Sequence, residues 1–154
     1  MKQILVAIAA AGLLLASCSE KHEDVNQRIL NTPETAVRDT LGYSIGWEDL
    51  HRLPVEFVAN VNYTDSVTLA ISFESDKRIT WTIEGNPTDR PAFPDTYFSV
   101  TPLQGRGTGS FFIKVPANTS GSARSGRFLL NLVERDSTDE VVAAITHNFI
   151  VNQK

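Results

Sequence analysis

Gly105-Arg106-Gly107-Thr108-Gly109 is the stretch that most invites a chemical reading. Closely spaced glycines bare backbone amides, and bared amides can cradle a phosphate. A phosphate loop, however, opens a helix whose N-terminal amides complete the anion site. Here the next residues are Phe111-Phe112-Ile113-Lys114-Val115, which alternate as a strand, and no Gly-Lys-Ser/Thr follows. The glycines are therefore expected to serve a turn or bulge. Arg124 and Arg127 in the next connection are too few for a nucleic-acid surface, and the net charge of -4 argues against a nucleic-acid partner.

The other reactive residue types are scattered. The three histidines, His22, His51 and His147, show no metal-ligand spacing. His147 shares a phase with Ile145, Phe149 and Val151, so it is expected to lie inward with its nitrogens satisfied. No Gly-x-Ser-x-Gly nucleophile elbow occurs. Glu134, Asp136, Asp139 and Glu140 gather in one predicted hairpin loop, where solvated turn chemistry accounts for them. The pattern predicts no catalytic residue, no metal, no cofactor and no enzyme activity.

The single cysteine, Cys18, excludes an internal disulfide. It follows Met1-Lys2, an apolar run from Ile4 to Leu15, and Leu15-Ala16-Ser17. That run is too short for a permanent membrane span and reads as a secretory signal over residues 1–17. Leu-Ala-Ser-Cys resembles a bacterial lipobox. The resemblance implies cleavage before Cys18, acylation of its thiol, and anchoring to the outer membrane through lipid. More than one acyl chain makes a firm anchor. Ser19-Glu20-Lys21-His22-Glu23-Asp24 resembles the acidic export signals of surface lipoproteins in the Bacteroidetes, which implies surface exposure.

The elements that position these residues are strands. Residues 18–53 read as a tether and linker with one or two short elements, broken by Gly42 and Gly46. From residue 54 a period of two takes over: Val55/Phe57/Ala59, Val67/Leu69/Ile71/Phe73, Ile79/Trp81/Ile83, Phe98/Val100, Phe111/Ile113/Val115, Phe128/Leu130/Leu132 and Val141 to Val151. Turn residues separate the runs, and no long amphipathic helix lies between them. The expectation is an all-β, immunoglobulin-like β-sandwich of about seven strands over residues 54–154, with Trp81 in its core.

The centre of this region carries a family likeness. Tyr97-Phe98-Ser99-Val100-Thr101-Pro102, a glycine turn, a strand, Ala117-Asn118-Thr119-Ser120, then Ala123-Arg124-Ser125-Gly126 and another strand resemble the BACON domain, the Bacteroidetes-associated carbohydrate-binding, often N-terminal module. Trp81 matches a tryptophan of that family, and Phe149-Ile150-Val151-Asn152-Gln153 resembles its closing strand. Two departures stand out: tyrosine replaces the usual tryptophan at Tyr97, and Pro87 to Asp95 lengthens the preceding connection. The resemblance implies a sandwich that binds polysaccharide. Aromatic rings off the core phase are the candidate contacts, Tyr97 and Phe93 first, with Phe112 and Trp47 also off the core phase or in connections. The alternative partner is an outer-membrane protein. Asp39-Thr40-Leu41, Asp65-Ser66-Val67 and Asp136-Ser137-Thr138 resemble the O-glycosylation sites of exported Bacteroidetes proteins, which marks Thr40, Ser66 and Ser137 as candidates.

Overall fold

The computed structural model describes residues 26–36, 38–51, 53–75, 78–85 and 97–154. The signal segment, Cys18, the tether up to residue 25, and Phe93 with its connection lie outside the described residues.

The chain is an all-β sandwich. In chain order the strands are β1 (Asn26–Asn31), β2 (Thr40–Ile45), β3 (Val55–Val61), β4 (Val67–Phe73), β5 (Ile79–Gly85), β6 (Ser99–Thr101), β7 (Gln104–Arg106), β8 (Gly109–Val115), β9 (Arg124–Arg135) and β10 (Val141–Gln153). One short helix, α1 (Trp47–His51), precedes β3. The larger sheet has the order β1-β3-β10-β9-β5-β7 and the smaller β2-β4-β8-β6. From β3 to β8 successive strands alternate between the sheets, and β3 runs parallel to β10. The two sheets pack as a β-sandwich whose strands cross repeatedly between the layers.

Seven of the ten strands, β3, β4, β5, β6, β8, β9 and β10, are those the alternation predicts. The other three, β1, β2 and β7, each sit at a sheet edge. The stretch read as linker thus supplies β1, parallel to β3, and β2, parallel to β4. Asn26–Asn31 is exposed along almost its whole length and carries no period-two signature, whereas Thr40–Ile45 alternates, with Leu41, Tyr43 and Ile45 turned to the core, a pattern the linker reading passed over. β7 has only three residues, paired to Thr80, Trp81 and Thr82.

The core fills the space between the sheets with the predicted phases. Phe57, Phe149 and Phe128 form a stacked column, with centroids 4.7 and 4.8 Å apart. Phe111 meets Phe149 and Phe128 edge-on from the opposite sheet, at 5.5 and 5.9 Å. Both geometries suit the ring quadrupoles and add to the burial term. Leu50 of α1 is fully buried and seals the end of the sandwich where β3 begins.

Candidate functional site

The glycine stretch belongs to the core. Trp81 is 3% exposed, packed edge-on against Phe73, and backed by Phe111. A Cβ on Gly105 would fall inside its indole, and one on Gly109 would stand 2.8 Å from Nε1. Gly107 between them has φ +67° and its amide donates to the Ile79 carbonyl at 2.7 Å. Two glycines therefore make room for a tryptophan and the third turns the chain, as expected of a turn rather than a phosphate loop. The indole N–H, which a buried tryptophan normally pairs, finds no acceptor among the described residues.

His147 is likewise structural. Its Nδ1 accepts from the Val55 amide at 3.1 Å, and its Nε2 lies 3.0 Å from the Leu50 carbonyl. A ring that accepts at Nδ1 and donates at Nε2 is the neutral tautomer. Burial pushes its pKa down, against the upward pull of those two hydrogen bonds. The ring clips α1 and the start of β3 to β10. The acidic loop is equally occupied: Asp136 Oδ1 accepts from the Thr138 amide and hydroxyl and the Glu140 amide at 2.7–3.0 Å. Those bonds hold its carboxyl below the usual range. Among the described residues, no three His, Cys, Asp or Glu side chains gather as a metal site.

Tyr97 is a packed residue. Its hydroxyl donates to the Val151 carbonyl at 2.7 Å, Arg124 lies 4.2 Å over its ring, and Phe98 meets it edge-on. Burial pushes its phenol pKa strongly upward. Arg124 covers one face of the ring, and Tyr97, half-buried, still lines a groove on the small sheet. That arginine donates in turn to Gln153 Oε1 and to the Pro116 carbonyl. Asn118 Nδ2 bonds the Ser122 and Lys154 carbonyls beside them. The residues carrying the family likeness thus form a polar network that closes one end of the sandwich.

Among the described residues, an aromatic ring that reaches solvent on a sheet face is Phe112, 39% exposed. It points outward from β8, and the pairing register builds a surface around it. Gly42, Ala70, Phe112 and Thr101 lie in one cross-strand row. Thr40, Thr68, Lys114 and Ser99 form the row on one side; Ser44, Ser72 and Ser110 form the row on the other. A Cβ at Gly42 would meet nothing within 4 Å. The floor beside the ring is therefore low, flat and open, and hydroxyls border it. Beyond the threonine row lies a groove of about 480 Å³, lined by Asp39, Ser66, Tyr97 and Lys114 among others. Beyond the serine row lies another of about 350 Å³.

The candidate modification residues Thr40, Ser66 and Ser137 are all exposed. Asp39 and Ser66 line the larger groove together, and the Thr68 amide donates to the Asp39 carbonyl at 2.8 Å. The structure brings the first two candidate sites to one end of the small sheet, where β2 and β4 begin, and places Ser137 in the β9–β10 turn.

No family model and no curated protein matches the chain. Among solved structures it is similar to the Bacteroides ovatus GH5 xyloglucanase in complex with a XXXG heptasaccharide, at TM-score 0.37 and 13% identity. That match covers 64% of this chain and 17% of the xyloglucanase chain. It is also similar to PbICP-C in its complex with falcipain-2, at TM-score 0.30 and 12% identity, over 84% of this chain and 99% of that one. Likenesses this distant carry no argument about what this chain binds.

Proposed function

We propose that this protein is a non-catalytic, BACON-like lipoprotein, anchored to the outer membrane through acylated Cys18, that binds polysaccharide on the outer face of its small sheet. The observation that carries the reading is the exposed Phe112 ring beside the open Gly42–Ala70 floor. A flat ring stacks on the apolar face of a pyranose, and neighbouring hydroxyls orient the sugar by hydrogen bonds. One ring makes a shallow site. Useful affinity then comes from many anchored copies engaging one polymer.

The test is binding of the mature protein to plant, host and mucin glycans, by array and calorimetry. Gly42→Val fills the open floor with a residue suited to a strand. It is expected to abolish binding while leaving the melting temperature close to wild type. Unchanged binding in Gly42→Val and Phe112→Ala would place the site elsewhere. Separately, Cys18→Ala is expected to leave an unprocessed or membrane-released protein, read by fractionation and mass spectrometry. Intact mass from a native-like host reads sugar at Thr40, Ser66 and Ser137.

A protein-protein adaptor is the second reading, and the β9–β10 hairpin favours it. Val141 and Val142 are 53% and 56% exposed. β3 pairs with β10 from Asn148 onward, so the edge from Val141 to Thr146 has no strand partner among the described residues. An apolar, unpaired edge is suited to adding a strand from another chain. Recovery of one stable partner from native membranes, lost on Val142→Lys, with no glycan bound, would establish that reading.

A further inference from the structure

Trp47 lies at the end of the surface just described, in the smaller groove. It is 40% exposed and opens α1. His51, one turn later, lies tilted against its ring. A ring held by a neighbour loses less freedom when a ligand docks on it. The groove around it is lined by Ser44, Gly46, Ser72, Glu74, Thr108 and Gly109, among others. A Cβ on Gly46 would meet nothing within 4 Å, so the approach is open there.

The groove is continuous with the Phe112 surface. Ser44 and Ser72 form the row next to Gly42 and Ala70, and their hydroxyls lie 3.1 Å apart. On one strand face, side chains repeat every second residue, about 6–7 Å along the strand. One extended ligand lying along β2 and β4 therefore meets Phe112 first and the Trp47 groove next. Glu74, exposed at the rim, supplies the carboxylate, and among the described residues no lysine or arginine lines this groove. A carboxylate with hydroxyls and an aromatic face is suited to neighbouring sugar hydroxyls, which donate to it. The same carboxylate repels a uronate or sulfated sugar. At the opposite end of the surface Lys114 and Asp39 line the larger groove together, so that end carries both charges.

We infer that the Trp47 groove is a second saccharide subsite, which seats the end of an uncharged oligosaccharide whose inner units lie on Phe112. The inference rests on the polysaccharide-binding reading of the small sheet and adds to it a second ring, a carboxylate and a ligand class.

The experiment is titration of the mature protein with cellohexaose, xylohexaose, mannohexaose and hexagalacturonate, followed by calorimetry and tryptophan emission. At least one neutral hexasaccharide is expected to bind and to change the emission of Trp47, because Trp81 is buried. Trp47→Ala is expected to weaken that binding at least five-fold, and Glu74→Gln at least two-fold. Trp47→Phe is expected to retain most of the affinity and lose the emission change. Trp47→Ala binding as wild type, while Phe112→Ala does not bind, would overturn the subsite and leave the Phe112 surface standing. A preference for hexagalacturonate would overturn the ligand class. Absence of binding by every glycan of this set and of the array would overturn the saccharide reading as a whole, and the subsite with it.

Discussion

The two outer faces of the sandwich are built from polar residues in different ways. On the large sheet, amides run in rows across β1, β3 and β10. Gln27 donates to Glu56 Oε1 at 2.7 Å, and Asn148 donates to Glu56 Oε2 at 3.2 Å. Asn60 donates to Asn31 at 2.9 Å and accepts from Asn152 at 3.0 Å. Between these rows lie Ile29, Val58 and Ile150. On the small sheet the corresponding positions hold Gly42, Ala70 and hydroxyls around one exposed ring. By composition the amide face looks more like a sugar-binding surface. Its amides, however, bond to one another and tie the exposed edge strand β1 to the sheet. The hydroxyl face leaves its ring and floor open. Ser44 and Ser72 are engaged as well, with each other and, for Ser72, with the Tyr43 carbonyl, so what sets the small-sheet face apart is its exposed ring and open floor rather than free polar groups.

Both faces stand on the same core, so the largest effect should damage them together. Trp81→Ala is expected to cost about 3–5 kcal/mol, the usual range for a deleted buried aromatic. Gly105→Val should also destabilise strongly, because its side chain meets the indole. Chemical denaturation measures both. A melting curve unchanged in either variant would contradict the packing described here.

Phe112→Ala tests the open face. It is expected to lower glycan affinity about ten-fold or more, which is ~1.4 kcal/mol, with little change in stability for a ring this exposed. Asn60→Ala tests the closed face and should do the opposite. Breaking two cross-strand bonds should cost about 1 kcal/mol, within the range for paired side chains on a sheet, and leave glycan affinity unchanged. If Asn60→Ala lowers affinity and Phe112→Ala does not, the assignment of the two faces is reversed.

The smallest effect concerns the end where α1 meets both sheets. Burial holds the folded pKa of His147 below its ordinary value, so the folded state binds the proton less readily than the unfolded chain. Its contribution to stability is therefore present above about pH 6.5, the unperturbed value, and is lost as pH falls from there through the lower folded value. Asp49 opposes this shift and His51 adds to it. Denaturation midpoints compared at pH 7.5 and pH 5 should fall, and should fall less in His147→Gln. An equal fall in both would assign the pH dependence to other groups.

Seven strands, their inward phases and the core position of Trp81 were legible in the sequence. Alternation is a local property, and a residue flanked by Ile79 and Ile83 in phase has one place to go. The turn role of the glycines was also legible, because a strand and not a helix follows them. That Gly105 and Gly109 accommodate the indole was not, since Trp81 stands 24 residues or more away in the chain. Only the tertiary structure places β1 and β2 at sheet edges. Their neighbours β3 and β4 lie some 28 residues on; the exposed β1 has no short-range pattern of its own, while β2 alternates over Leu41, Tyr43 and Ile45 but its partner is set only by the fold. Only the fold lays Arg124 over Tyr97 and leaves Phe112 bare. Both rings sit near a strand, off the core phase. How much of each ring solvent reaches is set by long-range contacts, such as the guanidinium that covers one face of Tyr97. Periodicity along one strand assigns a side chain to a face; what lies above that face is set by residues distant in the chain, through pairings that carry no local signal.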